Sequence, residues 1–439
     1  MEPETDVIIV GAGAAGLAAA CDLSAAQLSV IVLEARDRMG GRIHTHFDKW
    51  PIELGAEFVH GKPPETLAIA ERAHLKLQSI PNLHWHFHDG VLTKSGEFWS
   101  KVEDVMDEMS RYRGPDQSFD AFLDQCNRSD ISSVATLYVE GFHAAHADLI
   151  SVPGLNKTNE AASEIDDDKQ FRVENGYDRI TQALRDEAVG SGATFHLNTI
   201  VEEVNWKRND ITVVTTASQQ FKARRLLVTL PLSLMQTVRF VPGLTEKQNA
   251  ADKLAMGQVI KVMLRFREPF WEELSIPGED EKPDDLKDLT FIHAPAELLP
   301  TWWTQFPVRT PVLAGWAGGT RAEKLSVESD DSLLDHALES LTHIFGVSKG
   351  LLEGSLAEFY THNWQRDPLA AGAYSYIPVG GVDAASQLAR PVDDTIFFAG
   401  EATNEVGHHG TVHGALATGI RAAREILDRG TMPQLKKGT

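Results

Sequence analysis

The chain has 439 residues, 42% of them hydrophobic, which is enough for two globular domains with substantial cores. Its 41 lysines and arginines against 63 aspartates and glutamates give a net charge of −22, which argues against nucleic acid and anionic membranes as partners. Two cysteines supply neither a disulfide framework nor a CxxC metal site. Because no apolar run reaches about 18 residues and no signal sequence fits before the first strand, we expect a cytoplasmic protein without a membrane anchor.

The first predicted element is a strand, turn and helix with the pattern of a dinucleotide-binding unit. A buried strand at 6–10 leads into a GxGxxG turn formed by Gly11, Gly13 and Gly16. The first glycine permits the tight turn, the second lets backbone N–H groups approach a pyrophosphate, and the third lets helix and strand pack closely. A second strand ends on Glu34, close to the spacing of about 20 residues expected for an acid that binds ribose hydroxyls.

Two further segments indicate a flavin rather than a nicotinamide cofactor. The second strand is followed by Arg38-Met-Gly-Gly41-Arg42, a glycine pair that a longer and more deeply buried cofactor would use, with Arg42 as a forked phosphate donor. Near the other end, a buried strand beginning at Thr395 ends on Gly400 and precedes a helix. Backbone amides at the start of that helix would face the flavin. We therefore expect bound FAD.

Between these two ends the pattern changes several times. Residues 63–165 predict mostly helices that form a separate cap, and 194–229 predict short strands with which the cofactor domain resumes. Residues 238–390 mix strands with a helix, and 275–288 predict an exposed acidic loop.

The predicted fold is therefore α/β, with a Rossmann-type FAD-binding domain interleaved with an α+β substrate domain that contains a mixed β-sheet and the helical cap. The FAD domain is expected to comprise residues 1–75, 170–236 and 391–439, and the substrate domain residues 76–169 and 237–390.

Taken in order, these motifs resemble those of the flavin-containing amine oxidases from end to end. The glycine turn, Glu34 and RxGGR are joined by GAEFVHG at 55–61, by a strand around Lys261, by the 364–374 segment and by GEAT to TVHGA at 400–415. The GAEFVHG form is most similar to polyamine and spermine oxidases. The resemblance implies hydride transfer from an amine to flavin N5, an imine hydrolysed to an aldehyde, and O2 reduced to H2O2. The expected partners are a small cationic polyamine or diamine and O2, with the chain a monomer or homodimer.

The resemblance also implies roles for particular residues. Lys261 would hold a water against flavin N5, His60 would lie in a substrate tunnel, Trp364 would lie beside the flavin, and Tyr374 would form an aromatic wall. Each also fits a structural alternative: a solvent-facing strand lysine, a core histidine or core aromatic packing. The expected substrate-binding residues are His60, Tyr374, Thr411, Glu57 and Glu174. The expected cofactor-binding residues are Gly11, Gly13, Ala15, Gly16, Glu34, Ala35, Arg36, Gly41, Arg42, Gly55, Ala56, Glu57, Val201, Trp364, Gly400, Glu401, Thr411 and Val412.

Several alternatives stay open from the sequence. An L-amino-acid oxidase would need an arginine such as Arg172 to clamp a carboxylate. A histone demethylase, a carotenoid or porphyrinogen desaturase, and a flavoprotein without amine chemistry are further candidates. We expect no metal, and favour a solvated strand for the histidines of 84–88 and a solvated loop for 166–168. Because no cysteine follows Cys126, the C-terminal covalent flavin link of monoamine oxidases is absent and the FAD should be non-covalent.

Overall fold

The computed structural model describes residues 5–94, 97–126, 129–277 and 283–429. Residues 1–4 and 430–439 of the predicted FAD domain, and 278–282 of the predicted acidic loop, lie outside the described residues. The strands are β1 (Thr5–Val10), β2 (Val30–Leu33), β3 (Thr45–Phe47), β4 (Pro51–Glu53), β5 (Val59–His60), β6 (Leu77–Ile80), β7 (His84–His88), β8 (Val91–Lys94), β9 (Gln170–Val173), β10 (Thr194–His196), β11 (Val201–Lys207), β12 (Asp210–Thr215), β13 (Gln220–Val228), β14 (Arg239–Val241), β15 (Ala255–Met256), β16 (Val259–Phe266), β17 (Ser275–Pro277), β18 (Pro283–Asp285), β19 (Phe291–His293), β20 (Thr301–Thr304), β21 (Val312–Gly318), β22 (Leu356–Thr361), β23 (Ser375–Tyr376) and β24 (Ile396–Phe398). The α-helices are α1 (Ala14–Ala25), α2 (Pro64–Arg72), α3 (Glu97–Ser110), α4 (Phe119–Cys126), α5 (Ser129–His143), α6 (Val152–Ser163), α7 (Asp178–Gly190), α8 (Thr245–Ala251), α9 (Gly319–Ser326), α10 (Asp330–Phe345), α11 (Lys349–Ser355), α12 (Ala384–Ala389) and α13 (Val412–Asp428).

The first sheet brings the two ends of the chain together. Its order is β10-β2-β1-β13-β12-β11-β14, and β24 also pairs with β13. The strands β2, β1, β13 and β24 run parallel, so their carboxyl ends share one edge of the sheet. The short strand β14 joins this sheet although it follows residue 236, where the predicted cofactor segment ends. The predicted α/β class with a βαβ dinucleotide unit is confirmed.

Helix α1 is buried around its whole circumference, which explains its run of alanines. It packs on the first sheet and against α7 and α13, and nearly all of its side chains are buried. The contact with α13 depends on Gly419, where an added Cβ would lie 2.2 Å from the carbonyl oxygen of Ala15. The small residues thus let the N-terminal and C-terminal helices approach closely at the edge where β1 and β24 end.

The second sheet has the order β22-β16-β21-β20-β19-β7-β8 and is mixed, because β7 and β19 pair in parallel while the other pairs are antiparallel. Helices α9, α10 and α11 contribute to its core on one side. Strand β16 is buried along almost its whole length, so its one lysine, Lys261, lies in the interior. A buried ammonium requires a partner, which the site supplies.

Helices α3 to α6 form the predicted helical cap, although strands β6 to β8 precede them in the same predicted helical region. The cap has its own core around Met109, Phe119, Phe122 and Val139. It rests on the end of β21, where an added Cβ on Gly318 would lie 2.5 Å from a carbonyl oxygen of α5. No helix in the described ranges is both long and apolar enough to cross a membrane.

Candidate active site

One large cavity, of about 1140 Å³, lies between the two sheets and the cap. Both ends of the chain line it, because the turn after β1 and the segment before α13 meet at the same sheet edge. Of the residues predicted at the cofactor, Gly16 is not part of the wall: an added Cβ there would lie 2.0 Å from the carbonyl oxygen of Gly11, so this glycine serves the helix–strand contact. The others line the cavity, namely Gly11, Gly13, Ala15, Glu34, Ala35, Arg36, Gly41, Arg42, Gly55, Ala56, Glu57, Val201, Trp364, Gly400, Glu401, Thr411 and Val412.

The glycine turn has a shape that fits a dinucleotide pyrophosphate. Gly11 has a φ of 105°, and an added Cβ on Gly13 would meet nothing within 4 Å, because that position faces the cavity. Helix α1 begins directly after Gly13 without a side-chain cap, so its first N–H groups and its positive dipole end are directed at this space. The Glu34 carboxylate is held by the backbone N–H groups of Ala12 and Arg36, at 2.7 and 2.9 Å.

The two predicted cofactor arginines are both ion-paired. Arg42 donates to Glu401 at 3.0 Å and to the carbonyl of Ala373, and Arg36 pairs with Asp367 at 2.9 Å. Burial alone would raise the pKa of Glu401, but Arg42 and hydrogen bonds from neighbouring residues outweigh it and hold the pKa below its usual range. The sequence predicts a phosphate contact for Arg42, whereas here the side chain joins the N-terminal motif to the C-terminal one.

The Glu57 carboxylate is the centre of a buried ionic cluster. Oε2 accepts from the Lys261 ammonium at 2.6 Å, and Oε1 accepts from Arg172 at 2.9 Å and from the indole of Trp303 at 3.0 Å. Gln305 donates to the same Oε1 at 3.4 Å. Burial alone would raise the pKa of Glu57, but the Lys261 and Arg172 charges outweigh it and lower the pKa. Of the two positions open for Lys261, the structure therefore shows the buried and paired one.

Arg172 has little freedom to bind a substrate. Besides Glu57 it donates to the carbonyl oxygens of Phe306 and Thr304, at 3.2 and 2.9 Å, and its guanidinium lies 5.0 Å from the ring centre of Phe58. The sequence reveals none of these partners, because Trp303 and the loop after it are more than a hundred residues away. Arg172 is a structural partner of the ionic cluster in this fold.

Aromatic side chains form the wall beside Lys261. Trp364 is buried and donates to the carbonyl of Leu54 at 3.0 Å, and Tyr374 donates to the carbonyl of Phe142 at 2.7 Å, tying the end of α5 to the wall. Gly55 is required at this point because an added Cβ would lie 1.9 Å from the Arg42 carbonyl oxygen. Gly55 is one of the expected cofactor-binding residues, and this tight backbone contact is a further reason for a glycine at a position that lines the cavity.

Another part of the cavity lining carries histidines and a carboxylate. His60, Asp167, His408 and His413 all line the cavity. The ring of His60 contacts Phe142, with centroids 5.5 Å apart. Asp167 belongs to the acidic run predicted as a solvated loop. Its neighbours Asp166 and Asp168 are exposed, and Asp166 pairs with exposed lysines, whereas Asp167 is partly buried. His408 and His413 lie in the predicted flavin segment but carried no predicted role.

Two of the residues expected to bind the substrate, Glu174 and Thr411, make other contacts in the structure. Glu174 is half exposed, lies 3.7 Å from Lys76 and does not line the cavity. Thr411 lines the cavity, but its hydroxyl is the N-cap of α13, accepting from the N–H of Gly414 at 3.0 Å and donating to the carbonyl of His408. We therefore place Glu174 outside the candidate site and give Thr411 a capping role.

The histidines of β7 do not form a metal patch. His84 and His86 stack on His293 of the neighbouring strand, each with a centroid distance of 5.1 Å, and His88 lies at the surface beside Asp89. Within the described ranges, no group of three or more histidine, cysteine or carboxylate side chains is placed to hold a metal ion.

Residues 14–427 match the family described as flavin containing amine oxidoreductase. The chain belongs to this family. The match begins within the glycine turn, after Gly13, and includes the buried Lys261 strand and the segment before α13, both of which line the cavity.

The individual relatives share less than 30% sequence identity with this chain. The chain is 28% identical to polyamine oxidase 4 of Oryza sativa subsp. japonica over 462 residues, covering 96% of this chain and 88% of that protein. It is 27% identical to lysine-specific histone demethylase 1 homolog 3 of Arabidopsis thaliana, covering 97% of this chain but only 30% of that protein. Putrescine oxidase solved with bound putrescine has the same fold, with a TM-score of 0.80, 23% identity and coverage of 97% of this chain and 99% of that one.

We predict that Glu57→Gln destabilises the protein markedly, because it leaves two buried cations without a counter-charge. Breaking a buried ion pair on one side costs about 3–5 kcal/mol, which for a chain of this size lowers the melting temperature by roughly 3–5 °C. Thermal unfolding followed by circular dichroism measures this effect. Glu174→Gln is the matched control, since an exposed pair contributes about 0–1 kcal/mol. Equal melting temperatures for the two variants would show that the cluster does not stabilise the fold.

Proposed function

We propose that the chain is an FAD-dependent oxidase of a polyamine or diamine, which converts the amine to an imine that water hydrolyses to an aldehyde, with O2 reduced to H2O2. The observation that carries the proposal is a cavity that joins the Gly13 turn to Lys261, to the aromatic side chains of Trp364 and Tyr374, and to the histidines and Asp167 of the same lining. The family match supports the flavin and the amine, and the polyamine oxidase relatives support the substrate class.

The residues present fit FAD. Gly13 leaves open space next to its Cα, and the first N–H groups of α1 have no side-chain cap, so both suit the pyrophosphate. The Glu34 carboxylate suits the ribose hydroxyls. Neither Cys21 nor Cys126 lines the described cavity, which supports non-covalent binding. When bound, the flavin supplies the two-electron acceptor for a hydride from the carbon attached to the amine nitrogen.

The residues of the chain prepare the amine for that step. The aromatic wall of Trp364 and Tyr374 offers flat faces on which a carbon chain and its amine can lie, and it excludes water. Lys261 donates its N–H groups to Glu57 and to the carbonyl of Gly55, so it serves as a fixed positive charge and hydrogen-bond donor rather than as a base. A donor held in this way needs no reorganisation when negative charge develops nearby.

The charges of the cavity favour an amine over an amino acid. The arginines of its described wall are Arg36 and Arg42, and both are already paired with carboxylates. Arg172, the candidate clamp for a substrate carboxylate, is held by Glu57. Asp167 instead places a carboxylate in the wall, which suits a second ammonium group. These contacts support a polyamine or diamine over an L-amino acid.

We predict that Gly13→Ala prevents normal FAD binding without harming the fold. The new methyl group meets no protein atom within 4 Å, so it clashes only with a pyrophosphate lying in the turn. We expect the affinity of the apoprotein for FAD to fall at least about tenfold, or about 1.4 kcal/mol, in a fluorescence titration. Gly190→Ala, at the open end of α7, is the control and should bind FAD normally. Unchanged FAD affinity in Gly13→Ala would place the pyrophosphate elsewhere.

The function is tested by mixing the purified yellow holoenzyme with putrescine, spermidine, spermine, tyramine or L-arginine in air and following H2O2. We expect kcat/KM for the best polyamine or diamine to exceed that for tyramine and L-arginine at least about tenfold, or about 1.4 kcal/mol. Peroxide with L-arginine alone would instead indicate an amino-acid oxidase. Flavin bleaching by a polyamine without peroxide would indicate another electron acceptor, and no reaction with any of them would contradict amine oxidation of this class.

We predict that Lys261→Met retains FAD but slows turnover of the best amine by roughly 100-fold, because a preorganised donor is lost from the reaction centre. Stopped-flow absorbance separates flavin reduction from reoxidation and identifies the step that slows. Lys94→Met is the control, since Lys94 lines the edge of the same cavity but is half exposed and paired with Asp288. If both variants react like the wild type in both steps, Lys261 has no part in the chemistry.

A further inference from the structure

Glu53 ends strand β4 with its side chain buried behind the cavity lining of the described residues, and it is only 6% exposed. Its Oε2 accepts from the hydroxyl of Thr45, the residue opposite it on β3, at 2.7 Å. Its Oε1 accepts from the backbone N–H of Tyr177, also at 2.7 Å. Glu53 therefore joins the β3–β4 hairpin to the turn that begins α7.

The turn before α7 is shaped for this contact. Gly176 has a φ of 108°, and an added Cβ there would lie 2.8 Å from the Cγ2 of Thr45. The Thr45 hydroxyl also accepts from the backbone N–H of Asp178 at 3.2 Å. A glycine is needed here because the backbone must come close to the hairpin before it can donate to Glu53.

The two residues that follow Glu53 hold two groups of the candidate site. The carbonyl of Leu54 accepts from the Trp364 indole at 3.0 Å, and the carbonyl of Gly55 accepts from the Lys261 ammonium at 3.3 Å. Both carbonyls lie within two residues of a side chain that is fixed by two hydrogen bonds. The anchor at Glu53 therefore limits how far these acceptors can shift.

Glu53 also belongs to a group of four buried side chains that can carry charge. The others are Glu57, Lys261 and Arg172, which the ion pairs of Glu57 join. The charge of Lys261 favours the ionised form of Glu53, whereas the charge of Glu57 opposes it. With Glu53 ionised, two carboxylates and two cations balance, and with Glu53 protonated one positive charge is left over.

Burial makes this balance depend on pH near neutrality. It raises the pKa of Glu53 to about 7, although the hydrogen bonds from Thr45 and Tyr177 and the charge of Lys261 oppose the rise. A carboxyl with this pKa changes its charge between mildly acidic and mildly alkaline solution.

The neighbouring titratable groups do not replace Glu53 in this role. The Tyr177 phenol faces Glu53, and burial together with the Glu53 charge raises its pKa, so the phenol stays neutral. Asp178 begins α7, and its carboxylate accepts from Gln182 at 2.6 Å.

We propose that Glu53 is a positioning residue of the reaction centre: its carboxylate anchors the backbone that holds Trp364 and Lys261, and its negative charge offsets the positive charge of Lys261. The proposal rests on the proposed function, in which the flavin lies beside Lys261. Ionised Glu53 weakens the stabilisation that Lys261 gives to negative charge on the cofactor, and protonation of Glu53 restores it.

Glu53→Gln separates the charge from the shape, because the amide oxygen can accept from Tyr177 and the amide N–H can donate to Thr45. A carboxyl whose pKa rises on folding stabilises the fold most below its unfolded pKa, and this stability is lost as the pH rises to the folded pKa. We therefore expect the melting temperature of the wild type to fall relative to Glu53→Gln between about pH 4.5 and about pH 7. Glu174→Gln is the control and should follow the wild type. A constant difference between wild type and Glu53→Gln over this range would overturn the proposal.

The same measurement in a Lys261→Met background tests the contact between the two charges. Loss of the ammonium removes a charge that lowers the pKa of Glu53, so the fall in melting temperature should extend at least about 1 pH unit higher. An unchanged pH range would show that Glu53 does not act on Lys261. If Glu53→Gln fails to fold or loses FAD, Thr45→Val removes one hydrogen bond to the carboxylate and should also move the fall to higher pH, and an unchanged pH range in this variant would contradict the proposal.

The redox equilibrium of the holoenzyme tests the effect on the cofactor without amine or O2. Wild type and Glu53→Gln are each reduced together with a reference dye, and the ratio of reduced to oxidised flavin is compared at the same dye ratio. We expect this ratio to be at least about tenfold higher in Glu53→Gln at about pH 8.5, and equal within about twofold at about pH 5.5. Equal ratios at both pH values would overturn the proposal. The expected shift in a holoenzyme that oxidises no amine would instead overturn the proposed function alone.

Discussion

The rest of the site depends on the ion pairs that the buried Glu57 carboxylate forms with Lys261 and Arg172. Through it the loop after β4 is joined to β16 by Lys261, to β9 by Arg172 and to β20 by Trp303. A lysine in the middle of an apolar strand is tolerated only with such a partner, since an unpaired buried ammonium is strongly unfavourable. The second sheet is thereby fixed relative to the cofactor-side loop, and with it the wall of the cavity that Lys261 and Trp364 share.

The same carboxylate also limits what the cavity can select. Arg172 is ion-paired with Glu57, and Arg42 is ion-paired with Glu401. The positive charges of these two arginines are therefore neutralised by the protein and are not available to bind a ligand. Recognition is then left to aromatic faces, neutral imidazoles and Asp167, which suit a cationic carbon chain better than a carboxylate. Under the proposed function, selectivity for a polyamine or diamine follows from how the cations are paired as much as from which anions are present.

The sequence predicts those parts of the structure whose causes are local. The glycine turn and Glu34 follow from the short pattern of a βαβ unit, and in the structure Gly11, Gly13 and Glu34 line the cavity, while their binding of a cofactor stays a prediction. The partners of Glu57 and the place of Asp167 depend on contacts between residues more than a hundred positions apart, which no local pattern encodes. Gly55 is constrained by a close contact with the Arg42 carbonyl oxygen, which lies near in sequence but is not encoded by the short patterns either.

Burial has different consequences for the ionisation of Glu57 and of His413. Around Glu57, burial strengthens the attraction between fixed charges, so the carboxylate stays ionised and Lys261 remains a donor. Around His413, burial without a carboxylate in direct contact favours the neutral imidazole. The cavity therefore combines a carboxylate that its cations hold ionised with an imidazole that its surroundings hold neutral, and both states have the same cause: burial penalises a charge that has no partner.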